Sequence, residues 1–465
     1  MRSTHRNNHG FFFRNNIFIL FLFAGPFFLN GQSTPGLAEK EYYQITTVPI
    51  PSDIVLEAGG IAFDADGNLG VCTRRGELWM IADPASTNPR YSRYAHGLHE
   101  PLMLAYRDGS YYTTQRGELT KLTDRDSDGR ADHYESIYSW DLVGNYHEYS
   151  YGPVFLPDGT MLVTLNLGWV GRGASLSKWR GWMLQITPEG DMTPIATGMR
   201  SPAGFGLNAA GDIFYTENQG DWVGSGRMTH IEKGDFVGHP EGLKWSGEKG
   251  SPLNLTMEDI DDTEGVSLYD YQEIYPEVKP PSVWFPHTLM GISTSDMIVI
   301  PPGFGPFDGQ LLVGDQGHSK LMRVYQEKVN GVYQGACFGF REGFSSGLLR
   351  MAWGPENTLY VGMTNRGWAS TGKEPFGLQR LHWTGKNPFE VQSINVQSNG
   401  FLLTFTQPVD RMTAANPESY EITDFTYKYH HLYGSPVIDQ QTRTVYKVEV
   451  AQDGKSATLH VEGLR

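Results

Sequence analysis

The sequence predicts an all-β protein, a six-bladed β-propeller followed by a small immunoglobulin-like β-sandwich. Three observations lead to this prediction. Six segments repeat one pattern: an apolar strand, a tight turn, a second apolar strand and a polar cluster with glycine. The chain has 55 Gly, 27 Pro and 13 % aromatic residues, a mix typical of short strands and many turns. Residues 388–465 alternate apolar and polar residues around turns, as a small antiparallel sandwich would.

The six repeats are each marked by one residue at the tight turn. These residues are Gly67, Gly109, Gly159, Gly211, Gly309 and Asn357, with spacings of 42, 50, 52, 98 and 48 residues. A period near 50 residues with several short strands per unit is typical of a propeller, which we expect to occupy residues 42–385. The longest interval could hold a seventh blade. We favour an insertion at about 242–285, because that stretch shows little strand alternation and no second hairpin signal.

The first 31 residues are typical of a secretory signal peptide. Arg2, Arg6 and Arg14 precede the apolar run "IFILFLFAGPFFL", which ends at "NGQ". We therefore expect a secreted or periplasmic protein that does not span the membrane after cleavage. Cleavage would remove three arginines and no acidic residue, taking the formal net charge from −15 to −18. So acidic a chain is a poor candidate for binding nucleic acid.

The chain contains 2 cysteines, Cys72 and Cys337. So few cysteines predict no disulfide framework. The spacing of the two residues cannot show whether they pair. The simpler interpretation is two small core residues.

Polar residues flank the two strands of every repeat. In an antiparallel hairpin the start of the first strand and the end of the second lie at the same end, so we expect a polar ring at one mouth of the central channel. Residues before the first strands include His99, His147, Arg200 and His287. Residues after the second strands include Arg74, Arg116, Asn166, Asn218, Gln219, Asp315, Gln316, Asn365 and Arg366. Such a ring can bind a polar or anionic ligand and move a proton. The alternative is that these side chains tie neighbouring blades together.

Three loops after second strands carry a tryptophan among glycines, namely Trp169, Trp222 and Trp368. Tryptophan faces stack on the C–H faces of sugars, and nearby amides and carboxylates satisfy hydroxyls. The pattern predicts a mouth that binds a carbohydrate or polyol, although the tryptophans could instead wedge between blades. The candidate ligand-contacting residues are His99, Trp169, Trp222, His287, Asp315, Gln316, Arg366 and Trp368.

The segment "DRDSDGRADHYE" (124–135) fits the calcium-loop pattern D-x-[DN]-x-[DN]-G-x5-E without a mismatch. The expected ligands are Asp124, Asp126, Asp128, the carbonyl of Arg130, Asp132 and Glu135. The flanking residues predict strands rather than helices. We therefore expect a Ca²⁺ loop that stabilises the outer part of blade 2, the alternative being a solvated acidic turn.

Two stretches resemble the glucose/sorbosone dehydrogenases, soluble quinoproteins built on a six-bladed propeller. They are "GMRSPAGFGLNAAGDIFYTENQG" (198–220) with "EKGDFVGHP" (232–240), and "YHEYSYGPVFLPDGTMLVT" (146–164). The resemblance extends to exported bacterial propeller proteins of this type, often of unproven activity. It implies oxidation of a sugar or polyol hydroxyl, with hydride passing to pyrroloquinoline quinone (PQQ).

The resemblance also implies roles for individual residues. His147 would be the general base, and Arg200 would hold the quinone oxygens and stabilise the charge developing there. The implied cofactor-binding positions are Arg200, Ser201, Asn218, Gln219 and Gly220. Three positions depart from the family: Ser201 replaces an asparagine, Arg227 lies near the place of a calcium-ligating glutamate, and His239 stands where the family has a tryptophan. A guanidinium cannot bind calcium.

Two functions therefore stay open. The first is an exported PQQ-dependent sugar or polyol dehydrogenase. The chain has no C-x-x-C-H haem motif, so a cytochrome electron acceptor would be a separate partner or lie beyond Arg465. The alternative is a non-catalytic carbohydrate-binding propeller that has lost the PQQ–calcium site. A weaker third hypothesis is a hydrolase or lyase using His147, His287 and Asp315.

Overall fold

The computed structural model describes residues 17–21, 39–262 and 266–464. Two strands precede the first blade: β1 (Ile17–Phe21) and β2 (Tyr43–Thr47). Blade 1 contains β3 (Ala58–Phe63), β4 (Leu69–Thr73), β5 (Leu78–Ala82) and β6 (Arg90–Ala95). Blade 2 contains β7 (Leu102–Arg107), β8 (Ser110–Thr114), β9 (Glu118–Thr123) and β10 (His133–Ser139). Blade 3 contains β11 (Ser150–Phe155), β12 (Met161–Leu165), β13 (Trp182–Ile186) and β14 (Met192–Thr197).

The second half of the ring has the same plan. Blade 4 contains β15 (Gly204–Leu207), β16 (Ile213–Glu217), β17 (Gly226–Ile231) and β18 (Val283–Phe285). Blade 5 contains β19 (Thr294–Val299), β20 (Leu311–Asp315), β21 (Lys320–Val329) and β22 (Val332–Arg341). Blade 6 contains β23 (Leu348–Trp353), β24 (Leu359–Thr364) and β25 (Phe376–Trp383), and β2 is its fourth strand.

The six sheets form a closed ring around a central channel. The first strands β3, β7, β11, β15, β19 and β23 contact one another in that order, and β23 contacts β3. β2 pairs antiparallel with β25, from Tyr43 opposite Trp383 to Thr47 opposite Gln379. The N-terminal strand thus completes the last blade and joins the two ends of the ring. The predicted six-bladed propeller is confirmed.

The predicted tight turns lie between the first two strands of each blade. All six turn residues have positive φ, from 52° at Asn357 to 89° at Gly159. Residues other than glycine and asparagine rarely adopt this backbone conformation, which explains the repeated glycine in the sequence.

The long interval between the fourth and fifth turns contains helical turns and the fourth strand of blade 4. Short helices are 3₁₀ Pro240–Trp245, 3₁₀ Met257–Asp259 and α1 (Leu268–Ile274), and β18 follows them. Within the described residues this stretch forms no seventh sheet. The side chain of Ser267 accepts a hydrogen bond from the backbone N–H of Asp270 and caps α1.

The C-terminal module has two sheets. One has the order β26 (Val391–Gln397), β27 (Gly400–Phe405), β31 (Ser456–Val461) and β30 (Val445–Val450). The other contains β28 (Glu421–Tyr427) and β29 (Val437–Arg443), with β1 paired to β28. The remaining short helices are α2 (Arg411–Ala414) and the 3₁₀ turns Glu39–Glu41, Pro355–Asn357 and Pro417–Ser419. Ile422 of β28 packs against Leu403 and Leu459 of the first sheet, so the two sheets share a core, as a sandwich requires.

Of the predicted signal peptide the structure describes only Ile17–Phe21; the other residues of 1–31 lie outside the described part, so the signal peptide stays a prediction.

The two cysteines lie in β4 of blade 1 and β22 of blade 5, and both are free. Burial raises the pKa of each thiol to about 12. In the described ranges there is no helix with the length and apolar character of a membrane span.

Candidate functional site: the channel mouth

His147 lies in the loop between β10 and β11, which Asn145 holds in place. The side-chain oxygen of Asn145 accepts hydrogen bonds from the backbone N–H groups of His147 and Trp169, each at 3.0 Å. The imidazole Nδ1 lies 2.9 Å from the carbonyl oxygen of Leu167. A carbonyl only accepts, so Nδ1 carries the proton and Nε2 has the free lone pair. Among the described residues no hydrogen bond engages Nε2.

The surroundings of His147 keep its ring neutral. Its pKa is lowered to about 4, first by burial and then by the positive charges of Arg200 and Arg116. The ring is therefore neutral at pH 7. The positive charges that disfavour imidazolium also favour a negative group beside it.

Aromatic rings surround this histidine. Its ring centroid lies 5.6 Å from that of Trp169, 5.7 Å from Tyr149 and 6.0 Å from Tyr146. Trp169 is 39 % and Tyr146 62 % exposed, large values for such residues. A ligand reaching Nε2 would therefore meet aromatic faces first.

Arg200 lies in a corner formed by two aromatic rings. Its guanidinium carbon is 4.7 Å from the ring centroid of Trp169 and 5.2 Å from that of Tyr433, and the two centroids are 6.2 Å apart. Nε lies 3.5 Å from a carboxylate oxygen of Asp221. Gly220 packs so closely that an added Cβ would be 2.6 Å from Cδ, Nε and Cζ of the arginine. The side chain is only 3 % exposed and its Nε is buried without a hydrogen-bond partner, while Nη1 and Nη2 donate no hydrogen bond within the described residues.

Glu217, the last residue of β16, positions the Arg200 turn. Its Oε1 accepts hydrogen bonds from the backbone N–H groups of Arg200 at 2.7 Å and Ser201 at 2.6 Å. Its Oε2 accepts from Tyr215 Oη at 3.1 Å and Arg227 Nη2 at 3.0 Å. Glu217 and Arg227 are both fully buried, 0 % and 1 % exposed. Burial alone would lower the pKa of Arg227, but Tyr215 and Glu217 raise it, so the arginine stays charged.

A second arginine cluster lies on the other side of His147. Arg74 and Arg116 both form ion pairs with Glu100, at 2.6 and 2.9 Å. Both guanidinium carbons lie 5.1 Å from the ring centroid of Tyr149. Arg74 also donates to the carbonyl of Arg366, which ties blade 1 to blade 6. These arginines are mostly satisfied within the protein, as the inter-blade alternative predicts.

Some predicted ligand-contacting residues hold the fold instead. Asp315 is fully buried, and its carboxylate accepts hydrogen bonds from the backbone N–H groups of Ile292, Ser293 and His318. Gln316 donates from its side chain to the carbonyl of Thr364 at 3.1 Å, joining blades 5 and 6.

Other members of that set differ in exposure. Trp222 is half-buried, with its ring centroid 5.0 Å from that of Tyr429, away from His147. Burial lowers the pKa of the half-buried His287, and its backbone N–H donates to Ser225. Three members are open to solvent: His99, Arg366, which pairs with Glu57 at 2.9 Å, and Trp368, which is 55 % exposed. Trp169 is thus the predicted tryptophan that lies beside both His147 and Arg200.

The predicted calcium loop brings three carboxylates together. Oxygen atoms of Asp124, Asp126 and Asp128 lie within 4.8 Å of one another. Asp124 accepts hydrogen bonds from the backbone N–H groups of Ser127 at 2.7 Å and Gly129 at 2.8 Å. Slight burial and the Asp128 charge raise the pKa of Asp126, a repulsion that a cation would relieve.

The C-terminal half of the calcium motif is arranged differently. Asp132 accepts a hydrogen bond from the backbone N–H of Arg125 at 3.0 Å, and the backbone N–H of Arg130 donates to Asp128 at 2.8 Å. Glu135 lies in β10 opposite Lys121, outside the carboxylate cluster. The strand flanks β9 and β10 match the prediction, whereas calcium binding stays a prediction.

Four residues of the mouth were missed by sequence reasoning. They are Asn145, Glu217, Asp221 and Tyr433. A signal existed for two of them, since Glu217 and Asp221 flank the predicted "NQG" cofactor loop. Tyr433 carried none, because it comes from the C-terminal module, more than 200 residues from Arg200.

Several solved structures resemble this chain in fold. A putative oxidoreductase (glucose dehydrogenase) from Thermus thermophilus has a TM-score of 0.54 and 18 % identity, covering 73 % of this chain and 99 % of that one. The PQQ-bound aldose sugar dehydrogenase of Streptomyces coelicolor has a TM-score of 0.53 and 14 % identity, covering 74 % and 99 %. The fold is that of these sugar dehydrogenases. The apo-form aldose sugar dehydrogenase of Escherichia coli is similar as well, with a TM-score of 0.51, 14 % identity and coverage of 73 % and 99 %. No protein-family model and no curated protein sequence matches the chain.

The mouth of this dehydrogenase-like propeller does not fit a calcium-bridged quinone. Glu217 is already neutralised by Arg227 and accepts four hydrogen bonds, so it offers no oxygen to a metal. The one carboxylate cluster found among the described residues is that of the 124–128 loop in blade 2. The calcium-ligand departure seen in the sequence is therefore accompanied by the buried Glu217–Arg227 ion pair.

The implied cofactor loop is also covered. Residues 428–436, here called the 428–436 loop, reach it from the C-terminal module. The backbone N–H of Gly434 donates to the carbonyl of Gly220 at 2.9 Å, and that of Ser435 donates to Gly224 at 2.9 Å. A Cβ added to Gly434 would lie 2.4 Å from the side chain of Gln219. The implied positions Ser201 and Asn218 have hydrogen-bond partners within the protein. The side chain of Asn166 donates to Ser201 at 3.4 Å, and that of Asn218 donates to the carbonyl of Gln219 at 3.1 Å. Two of the positions implied for the cofactor, Gln219 and Gly220, are thus in contact with the C-terminal module.

Proposed function

We propose that the protein is a carbohydrate-binding propeller with the sugar dehydrogenase fold, which receives a sugar or polyol at the channel mouth. One observation carries the proposal: the exposed faces of Trp169 and Tyr433 meet beside the unpaired Nε2 of His147 and the unpaired terminal nitrogens of Arg200. Aromatic faces suit sugar C–H groups, a guanidinium donates to hydroxyl oxygens, and Nε2 accepts from a hydroxyl.

The replaced calcium site supports binding over oxidation. The buried Glu217–Arg227 pair holds the Arg200 turn without a metal. The 428–436 loop occupies the space above Gln219 and Gly220. In this proposal the protein is exported and works in the periplasm or outside the cell, as its N-terminal sequence predicts.

A second candidate, a PQQ-dependent sugar or polyol dehydrogenase, is favoured by the state of His147. A neutral imidazole with its lone pair on Nε2 can accept the proton of a substrate hydroxyl. That candidate needs a quinone at the mouth and an electron acceptor such as a separate cytochrome.

Calorimetric titration of the full chain with PQQ and calcium separates the two candidates. The binding proposal expects no stoichiometric PQQ binding, no dye reduction with aldoses or polyols, and recognition of sugars on a glycan array. Trp169→Ala is expected to lose that recognition. Phe389→Ala, which removes an aromatic ring 58 % exposed on the C-terminal module, is the control and should keep it. One-to-one PQQ binding with dye reduction would replace the proposal by the dehydrogenase.

A further inference from the structure

Arg200 is a buried cation with unused donors. The side chain is 3 % exposed, and its Nε faces Asp221 at 3.5 Å. Cation–π contacts with Trp169 and Tyr433 engage the guanidinium without satisfying its N–H groups. Since Nη1 and Nη2 have no acceptor among the described residues, they can pair with an external group that supplies two acceptor atoms.

The geometry of a guanidinium selects the type of acceptor. Its terminal N–H groups lie in one plane and match the two oxygens of a carboxylate, which gives a bidentate, charge-assisted pair. The carboxylate of Asp221 approaches Nε at 3.5 Å rather than the terminal edge. An external carboxylate can therefore add to the site without displacing an internal one.

The neighbouring charges favour an anion at this point. Arg116 pairs with Glu100 but still contributes positive potential at His147, as Arg200 does. Glu217, the nearest fully buried carboxylate, is neutralised by Arg227. Arg200 and Arg116 thus give the mouth a positive potential, which Asp221 offsets in part, on a chain whose formal net charge is −15. A long polyanion would be repelled by the rest of the surface, whereas one short acidic sugar would meet mainly the local field.

The C-terminal module contributes directly to this site. Tyr433 is 50 % exposed, with its ring against Arg200 and near that of Trp169. Its loop is fixed by buried Tyr429, whose hydroxyl donates to the carbonyl of Gly238 at 2.5 Å. Tyr433 therefore has a defined position from which one ring face can contact a sugar next to the arginine.

Resting on the proposed carbohydrate-binding function, we propose that the ligand is an acidic sugar of the uronic acid class. Arg200 binds its carboxylate, Nε2 of His147 accepts a hydrogen bond from a ring hydroxyl, and Tyr433 of the C-terminal module stacks on the ring and helps determine specificity.

The test compares two ligands that differ only at C6. Methyl glucuronoside and methyl glucoside share every ring hydroxyl, but the first carries a carboxylate where the second carries a CH₂OH group. By calorimetry on the full chain we expect the glucuronoside to bind about tenfold more tightly or better, the advantage of a charge-assisted bidentate pair. Arg200→Gln should remove the preference, so that the two ligands bind with equal affinity.

A matched pair of tyrosine variants tests the role of the module. Tyr433→Ala should weaken glucuronoside binding about fivefold or more, the size expected for loss of one stacking ring. Tyr446→Ala removes a tyrosine that is also 50 % exposed but lies in β30, and should have no effect. Thermal melting confirms that each variant is folded.

The outcomes distinguish failure of the acidic-sugar inference from failure of the proposed carbohydrate-binding function. Equal affinity for the two glycosides overturns the acidic-sugar inference and leaves carbohydrate binding intact. No binding of either glycoside, or of any sugar on the array, to a folded protein overturns both. An unchanged affinity in Tyr433→Ala removes the C-terminal module from the site.

Discussion

Lowering the pH from 7 to 5 should destabilise the protein through His147. Burial, followed by the charges of Arg200 and Arg116, lowers the pKa of this ring from 6.5 to about 4. Below pH 6.5 the unfolded chain binds a proton that the folded chain does not bind until about pH 4. Stability is therefore fully present above pH 6.5 and falls as the pH drops through that window.

The size of the loss follows from the two pKa values. Linkage for one such group gives at most about 2 kcal/mol between pH 7 and pH 5. His239 adds a similar amount, because burial lowers its pKa to about 3. Together they would remove up to about 4 kcal/mol, a large part of the ~5–15 kcal/mol typical of a folded protein.

Urea unfolding of His147→Gln at pH 7 and pH 5 measures the contribution of this residue. We expect the pH-dependent loss to shrink by up to about 2 kcal/mol relative to the parent protein. His99→Gln changes an exposed histidine on the same rim and should keep the full loss. An unchanged loss in His147→Gln would refute the neutral ring and with it the free Nε2 on which the site depends. Nitrogen-15 shifts of the ring would show the tautomer directly.

Three further predictions concern the loop and the mouth. Calcium should raise the melting temperature of the parent protein but not of Asp126→Asn, and equal melting with and without calcium would exclude the predicted loop site. Gly220→Ala should weaken ligand binding while the fold is kept, because the new Cβ would lie 2.6 Å from the Arg200 side chain; wild-type affinity would show that the contact is loose. Arg227→Met should cost about 3–5 kcal/mol in urea unfolding by leaving Glu217 buried without its cation, and adding Glu217→Gln should restore part of that loss.

The propeller was predictable because its signal is local and repeated. Each hairpin needs a residue of positive φ at the same position, and such positions recur every 42–52 residues except for one interval of 98 residues. Ring closure by β2 was not predictable, because the pairing of Tyr43 with Trp383 joins segments 340 residues apart and leaves no local pattern.

The position of the channel mouth was predictable from the sequence, but the arrangement of its side chains was not. Hairpin geometry correctly put His147 and Arg200 near each other, since both contact Trp169. The same reasoning could not predict that the carboxylate of Asp315 would accept its hydrogen bonds from backbone N–H groups. Whether a polar side chain serves a ligand or the fold depends on which donors the surrounding loops leave unpaired, and that is decided in three dimensions.

The Glu217–Arg227 ion pair explains how the channel mouth can keep its structure without a bound metal. A buried carboxylate needs a positive partner, and either an ion or a guanidinium can provide it. The guanidinium does so here from β17, within the same blade, and leaves the second oxygen of Glu217 to hold the backbone of Arg200. Arg200 is consequently fixed whether or not a cofactor is present. Glu217 holds the backbone of Arg200, and the 428–436 loop packs against its side chain. The terminal nitrogens of Arg200 are therefore preorganised donors, which favours binding of an anionic ligand over rearrangement to admit a quinone.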